Sequence, residues 1–568
     1  MILSSPERIA DLHARGLWPD FTFDDLLRRN VSRVPDREAI VDPPNRAEVT
    51  FGAPRRLTWR QFGAAVDALS GQLLECGLGA DDVVVAQLAN SWELLAFYFA
   101  CFRRGIIVSP VPAQYRDHEL AYIANHTGAK ALVTNTRIGS HEHGAMAVRL
   151  RKECAGLSIV LLLGDPKDIP PGAFDLASML VSPPAGNGSE RAVVCADDVA
   201  TIIWTSGSEG RPKGIPRSHA QWLVSLDSIA EAFHLQDGAR LLNGRPLVNH
   251  GAMLGTLLPW LSRAGTIVLH HPFTLNVFAR QLRDERIDFT SIAPAILVSL
   301  LNEPHHLDGV DFTRLRAVAS GSAPLPPSVV VEFEQRFGVR IVNLYGSTEG
   351  ASLGSSPDDI PDAGLRATLF PRLGVAGFHW TYPSGRVQET RLVDPETGTE
   401  VGTAGRPGEL RVRGPIVFDG YFNDTELTRA AFDSNGFYRT GDLFELAGDR
   451  LQYYRYVGRT KDVIVRGGFN ISAAEVENLV AAYPGVKEVA VIGIPDPRLG
   501  ERVCAVVAMR DGHASPKLDE IIEFLRNEMH VSKLKLPEKL IAVEALPRNA
   551  NTKVDKRRLR EIVRGLEN

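Results

Sequence analysis

The sequence predicts an α/β protein: a large N-terminal domain of helix-covered, mostly parallel sheets carrying a β-rich subdomain, followed by a small C-terminal α+β domain. Three observations carry this. From Val83 onward, apolar β-branched runs alternate with helical segments at the spacing of βαβ units. Between Thr368 and Gly420 the pattern changes to short runs divided by Gly and Pro turns, such as Asp394 to Gly398. Beyond Arg459 it becomes a compact mixture of strands and capped helices, so the boundary is expected near Arg459, dividing 1–458 from 459–568.

The elements follow in order. Phe23 to Asn30 reads as a short helix, and Phe62, Val66, Leu69 and Leu73 recur at helical spacing after Leu57-Thr58-Trp59. Val83 to Leu88 is a strand, Trp92 to Phe102 a helix and Ile106 to Val111 the next strand. Glu119 to His126 is helical, and Ala131 to Val133 and Ser158 to Leu163 are strands. Pro183 to Ser189 is a loop. Val199 to Thr205 reads as a buried strand. Ser218 and Gln221 have the spacing of a capping box, which opens a helix expected to reach Phe233. Strands follow at Gly265 to His270, Phe289 to Ile292, Leu315 to Ser320 and Val339 to Leu344, with a helix over Asn276 to Arg286. In the C-terminal part, Ser472 to Glu475 caps a helix, Val489 to Ile494 and Arg502 to Met509 are strands, and Ser515-Pro516 opens a helix with Leu518, Ile521, Ile522 and Leu525 on one face.

Composition narrows the function. The 568 residues are 44% hydrophobic and 23% charged, ordinary for a globular protein, and the net charge of −5 gives no global basic footprint for nucleic acid. The five cysteines, at 76, 101, 154, 195 and 504, show no metal or redox spacing and fit a reducing cytoplasm. Leu94 to Phe102, the longest apolar run, is too short to cross a bilayer. Met1 to Asp20 lacks the apolar core of an export signal, so a cytoplasmic protein is expected.

The chemistry concentrates in a few strings. After the strand ending at Thr205 comes Ser206-Gly207-Ser208-Glu209-Gly210, then Lys213-Gly214. Glycines let the backbone approach a ligand, Thr205, Ser206 and Ser208 offer hydroxyl donors, and Lys213 supplies a charge: the groups an anionic phosphate needs. Pro212 before the lysine and Gly214 after it break the Walker A pattern. A Ser/Gly turn between two strands is the competing reading. Gly321-Ser322-Ala323-Pro324 ends one strand, and Tyr345-Gly346-Ser347-Thr348-Glu349 another, at the edge where open α/β sheets bind ligands. Further strings are Tyr438 to Asp442, Gly458 to Gly468, and the basic run around Lys553. Singly, these also read as a core aromatic, a helix cap, a surface charge and a solvated lysine.

Together and in this order, the strings resemble those of the acyl-adenylate-forming, AMP-dependent synthetases and ligases, and the resemblance spans about residue 20 to 562. Gly16 to Asp20 and Arg116 to Leu120 look most like cyclohexanecarboxylate-CoA ligases and medium-chain acyl-CoA synthetases, while Gly214 to His219 is similar to aryl-acid AMP ligases. The resemblance implies ATP, Mg²⁺ and coenzyme A, with a carboxylic acid converted to acyl-AMP and then to a thioester. It implies that Thr205, Ser206, Gly207, Ser208, Gly210 and Lys213 hold the phosphates, that Glu349 holds Mg²⁺ and that Thr348 meets the α-phosphate. Tyr345 and Gly346, walled by Gly321, Ser322 and Ala323, would face adenine, and Asp442 with Arg459 the ribose. Lys553 would be the catalytic lysine, Lys461 the hinge of a mobile C-terminal domain, and Arg466, Gly467 and Gly468 the pantetheine tunnel, with Arg557 and Arg558 near the CoA phosphates. The resemblance also implies that Asn249, His250 and Gly251 border the acyl site, with either Asn249 or His250 as the gate.

Three residues depart from the family pattern: Glu209 puts a carboxylate in a phosphate loop, Thr552 replaces Gly before the lysine, and Asn249 falls at the position where the family usually has His or an aromatic, with His250 one step later. Val248 to Leu254 carries no acidic residue to pair a substrate ammonium, and Gly350-Ala351-Ser352-Leu353 is neutral, so an uncharged acyl group is expected. Two alternatives stay open: an enzyme that loads a carrier-protein pantetheine, and a degenerate nucleotide-binding protein without turnover.

Overall fold

The computed structural model describes the chain except residues 183–191, 206–211, 271, 316, 467–468, 497–498, 530, 532, 550–552 and 567–568, and except the side chains of 461, 465, 469, 470, 500 and 534. The chain forms two compact units. The first comprises Met1–Ala367, His379–Glu389 and Val412–Tyr438; the second comprises Thr368–Phe378, Thr390–Arg411 and Arg439–Asn568.

The first unit holds two sheets. In the seven-stranded sheet the spatial order is Phe174–Asp175, Ile159–Leu163, Ala131–Asn135, Val83–Gln87, Ile107–Pro110, Val199–Thr205 and Lys213–Ser218. All its pairings are parallel except the last, where Thr205 lies opposite Lys213. The eight-stranded sheet runs Ser352–Ser355, Arg340–Gly346, Ala317–Gly321, Phe289–Ile292, Arg240–Asn243, Thr266–Leu269, Glu38–Val41 and Arg56–Thr58, with an antiparallel pair at each edge and parallel pairs between. Central strands such as Val83–Gln87 and Ile159–Leu163 are buried along their length, which is why they read as continuous apolar runs.

Helices Phe23–Arg33, Trp59–Glu75 and Trp92–Arg104 pack into one core. Thr58 caps the second of these: its hydroxyl accepts from the Gln61 amide while the Gln61 side chain accepts from the Thr58 amide. The core centres on aromatics, with Trp59 stacked on Trp260 at 4.7 Å and the Phe99 ring edge-on to both Phe62 and Trp260. The Gly16 to Asp20 string has a structural role, since the Trp18 indole donates to the Pro415 carbonyl at 3.0 Å.

The second unit pairs a five-stranded sheet (Leu369–Pro371, Tyr453–Arg459, Tyr438–Ala447, Gly408–Arg413, Glu389–Val393) with a second sheet built on the long hairpin Val486–Asp496 and Gly500–Met509. Lys539–Val543 adds a parallel strand to that hairpin, and the helix Ala473–Ala481 covers it, capped by Ser472 as expected.

Three expectations are corrected. The helix opened by Ser218 does not continue to Phe233: the capping box forms, but the chain makes two short helices, His219–Leu223 and Ser228–Ala232. The strand expected to stop at Leu344 runs on through Gly346, because it pairs with Ser352–Ser355. The helix assigned to Ser515-Pro516 begins at Leu518, where the Glu520 carboxylate accepts from the Lys517 amide at 2.8 Å, and from Phe524 it widens into a π-helical turn.

Candidate functional site

In the first unit, Thr205 ends one strand and Lys213 begins its antiparallel neighbour. The two thus stand side by side at the mouth of the intervening loop, whose Ser206, Gly207, Ser208, Glu209 and Gly210 lie outside the described residues. The base of this hairpin is braced: the Phe422 amide donates to the Gly214 carbonyl at 2.9 Å, the His126 ring bonds the Phe422 carbonyl at 2.8 Å, and the Trp204 indole donates to Ser109 Oγ at 2.7 Å.

Lys213 and Glu349 meet through a residue that no motif supplied. The Lys213 ammonium lies 5.1 Å from the centre of the Tyr421 ring, and the Tyr421 hydroxyl donates to Glu349 Oε1 at 3.1 Å. Tyr438 hydrogen-bonds the Tyr421 hydroxyl in turn; burial, and then the Glu349 charge, hold both phenols protonated far above neutral pH. A cation, a carboxylate and two phenols therefore line one surface beside the hairpin.

Beneath them lies Arg217, fully buried, whose Nη2 donates to the Thr348 carbonyl at 2.6 Å and whose Nη1 donates to the Ile416 carbonyl at 2.5 Å. Burial lowers its pKa to about 10, with Glu349 and Asp419 opposing the shift, so the group stays cationic at neutral pH. Its role is to fix the turn bearing Thr348 and Glu349. Gly350 follows with φ +121°, and a Cβ there would meet the Ile416 carbonyl at 2.4 Å, which explains the glycine after Glu349.

Tyr345 and Gly346 end their strand beside Gly321. Gly321 ends the neighbouring strand against Leu344, with Ser322 and Ala323 exposed just beyond it. Ser322 holds φ +81°, a costly conformation for a residue with a Cβ. The structure thus brings Lys213 and Glu349 together on Tyr421, with Thr205 across the hairpin from Lys213 and Thr348 next to Glu349 in the chain, and sets Gly321–Ala323 beside Tyr345–Gly346.

The two gate candidates are occupied otherwise. Asn249 Oδ1 accepts from the Ala252 amide at 2.9 Å, capping a helical turn, and the buried His250 ring stacks on Trp222 at 5.2 Å. Burial, with Arg217 nearby, drives His250 well below its ordinary pKa, so it is neutral. Gly251 is exposed beside them.

In the second unit, Arg459 Nε donates to Asp442 Oδ1 at 3.0 Å, with the carboxylate buried and the arginine 59% exposed. Arg466 forms a two-pronged pair with Glu538, at 2.8 Å for each bond, so its guanidinium holds the sheet together. Gly467 and Gly468 lie outside the described residues. Lys461 sits in the turn Thr460–Asp462, and only its backbone is described. Lys553 is exposed, on a turn where the Asn549 amide donates to its carbonyl at 2.8 Å; Thr552 lies outside the described residues.

Sequence reasoning missed Tyr421, Tyr438 and Arg217 as site residues. The signal for Arg217 was present, since an arginine inside a strand buried on both faces needs internal acceptors.

Comparison with known proteins gives the chain a family. Residues 27–422 match the AMP-binding enzyme family, and residues 475–553 match the AMP-binding enzyme C-terminal domain. The chain is 30% identical to the medium-chain fatty-acid–CoA ligase of Escherichia coli K12 over 98% of its own length and 93% of that protein's. It is also 30% identical to the 2-hydroxy-7-methoxy-5-methyl-1-naphthoate–CoA ligase of Streptomyces carzinostaticus, covering 96% and 94%. Among solved structures, ATP-bound MatB from Rhodopseudomonas palustris superposes with a TM-score of 0.78 at 27% identity, covering 96% of this chain and all of that one. Matched over both regions and along nearly its whole length, the chain belongs to the AMP-binding enzymes, the AMP-dependent synthetases and ligases.

Proposed function

We propose that this enzyme activates a carboxylic acid as acyl-AMP at the expense of ATP and transfers the acyl group to coenzyme A. The observation that carries this reading is the juxtaposition of Lys213, Tyr421 and Glu349 beside the Thr205–Lys213 hairpin in a chain whose relatives are CoA ligases. Phosphoryl and nucleotidyl transfer need positioning and charge neutralisation rather than covalent help. Lys213 and Thr205 would hold the β- and γ-phosphates, and Thr348 the α-phosphate. Glu349 fits a divalent cation: one carboxylate, oriented through Oε1 by the Tyr421 hydroxyl, suits Mg²⁺, which takes one or two carboxylates plus substrate phosphates. Bound there, Mg²⁺ would supply charge neutralisation on the phosphates. Asp442, already oriented by Arg459, would accept from the ribose hydroxyls, with Tyr345 against adenine.

Residues 1–458 and 459–568 are proposed as the adenylation domain and the mobile domain. Lys553 would meet the forming acyl phosphate, and Arg466 to Gly468 would border the thiol path. The buried Ala351 and Leu353 support an acyl group with an apolar body. The test is acid-dependent pyrophosphate release across a panel of carboxylic acids, followed by thioester formation with free CoA. Release together with CoA thioester is expected. Release with transfer only to a pantetheinylated carrier protein would shift the acceptor, and no release with any acid would overturn the reading.

A further inference from the structure

Arg245 differs from the other arginines around the first unit's site. It follows the strand Arg240–Asn243 at the carboxyl edge of the eight-stranded sheet, and its backbone is clamped. Asn90 Nδ2 and Asn243 Nδ2 both donate to its carbonyl, at 2.8 and 3.0 Å, and Asn243 Oδ1 accepts from its amide at 3.2 Å. The side chain reaches along the sheet edge: Nε donates to the Ser291 carbonyl at 3.3 Å and Nη1 to Ser322 Oγ at 2.9 Å. The same Nη1 lies 3.6 Å from where a Cβ on Gly251 would stand.

The guanidinium therefore sits between the Gly321–Ala323 shelf and the Asn249–Gly251 turn, the segments assigned above to the nucleotide and the acyl site. Ser322, Ala323 and Gly251 are exposed, so the cation borders open space. Among the described residues no carboxylate pairs with it, and its charge persists: burial lowers its pKa only to about 10. A guanidinium has five donors, and the described bonds use two of them. A partly desolvated cation without a counter-charge is costly, and a planar fork of free donors matches a carboxylate. Asn249 and His250 do not compete for that role, one capping a turn and the other stacked on Trp222.

We propose that Arg245 is a specificity-determining residue that receives a second carboxylate, so that the preferred substrate is a dicarboxylic acid with an apolar body between its two acid groups. This replaces the expectation of an uncharged acyl group with one that carries a charge at its far end, and it rests on the ligase reading above. The test measures acid-dependent pyrophosphate release for matched pairs, hexanoate against adipate and benzoate against terephthalate, with the wild type, Arg245→Met and Arg245→Lys. The wild type should favour the diacid of at least one pair by about 10- to 100-fold in kcat/KM, the size of a charge-assisted bond. Arg245→Met should remove that preference, bringing the diacid-to-monoacid ratio of kcat/KM to about 1 whatever the absolute rates, and Arg245→Lys should keep part of it. Equal loss on both members of a pair would overturn the proposal, placing Arg245 at the reacting carboxylate or the nucleotide. So would a wild type that uses monoacids and rejects diacids, a result that needs no folded variant. Failure of the ligase reading has a different signature, silence with every acid of either kind, and takes this inference with it.

Discussion

The Glu349 carboxylate is oriented by Tyr421, whose ring also receives the Lys213 ammonium, so one side chain couples the cation to the carboxylate. Tyr421→Phe removes the hydroxyl and keeps the ring. It should raise KM for ATP at limiting Mg²⁺ by about 10-fold, the cost of one bond to a charged group. Tyr421→Ala loses the ring contact as well and should cost more; steady-state kinetics over a Mg²⁺ titration checks both. Lys553 has a different signature. A charge that meets the developing acyl phosphate acts in the transition state, so Lys553→Ala should slow adenylation by about 100- to 1000-fold while ATP affinity, measured by calorimetry, stays within a few-fold. Near-wild-type pyrophosphate exchange would remove the assignment.

At the scale of elements, His270 ties a strand to the helix after it. Its Nδ1 donates to Gln281 Oε1 at 2.8 Å and its Nε2 accepts from the Thr274 amide at 2.9 Å, so the neutral tautomer is required. Burial lowers its pKa to about 4, and that of the buried His219 likewise. Both folded values lie below the ordinary 6.5, so the unfolded chain binds more protons between them. Stability is therefore fully present above pH 6.5 and falls as pH drops towards about 4, by on the order of 3 kcal/mol for each histidine. Urea midpoints across that window should fall with acidification, and His270→Gln should flatten the slope; a flat wild-type profile would contradict the buried neutral histidines. Gly321→Ala is a sharper lesion, because a Cβ there would lie 2.2 Å from the Leu344 carbonyl of the paired strand. Loss of soluble protein or of ATP binding is expected, measured by thermal unfolding with and without ATP.

These elements also show what the sequence could carry. Val83–Gln87, Ile159–Leu163 and the Ser218 capping box were legible because local pattern and tertiary burial agree there. The strands Glu38–Val41, Arg240–Asn243 and Lys539–Val543 were not, since each is a short run recognisable only beside its partner. The helix after Ser218 was overread because its apolar pattern continues while the backbone breaks between Leu223 and Ser228. In the site, the residues named from sequence lie inside contiguous strings. Tyr421 lies in none, and Arg217, though inside one, escaped with it because they act on Glu349 and Thr348 from 72 and 131 residues away.

At the scale of the whole molecule, the two half-reactions proposed above would use one set of groups in turn. Lys553 would be presented to ATP and then withdrawn so that Arg466 to Gly468 can border the thiol, which requires a few backbone torsions free to change. Lys461 would serve as that hinge within the second unit. On one side Arg459 is held by Asp442 and Thr460 Oγ1 donates to the Gly441 carbonyl at 2.6 Å; on the other, Asp462 lies 3.5 Å from Arg560 of the last helix. A torsion change at Lys461 would then move these two tethered segments relative to one another. Proline fixes φ near −65° and removes the amide donor, so Lys461→Pro should hold one orientation. Acyl-AMP formation and thioester formation, measured on one preparation, should then fall unequally, with thioester formation losing at least about 10-fold more. If Lys461 is merely a residue of an ordinary turn, proline will spare both steps or damage them equally, and the domain-alternation role will have to move elsewhere.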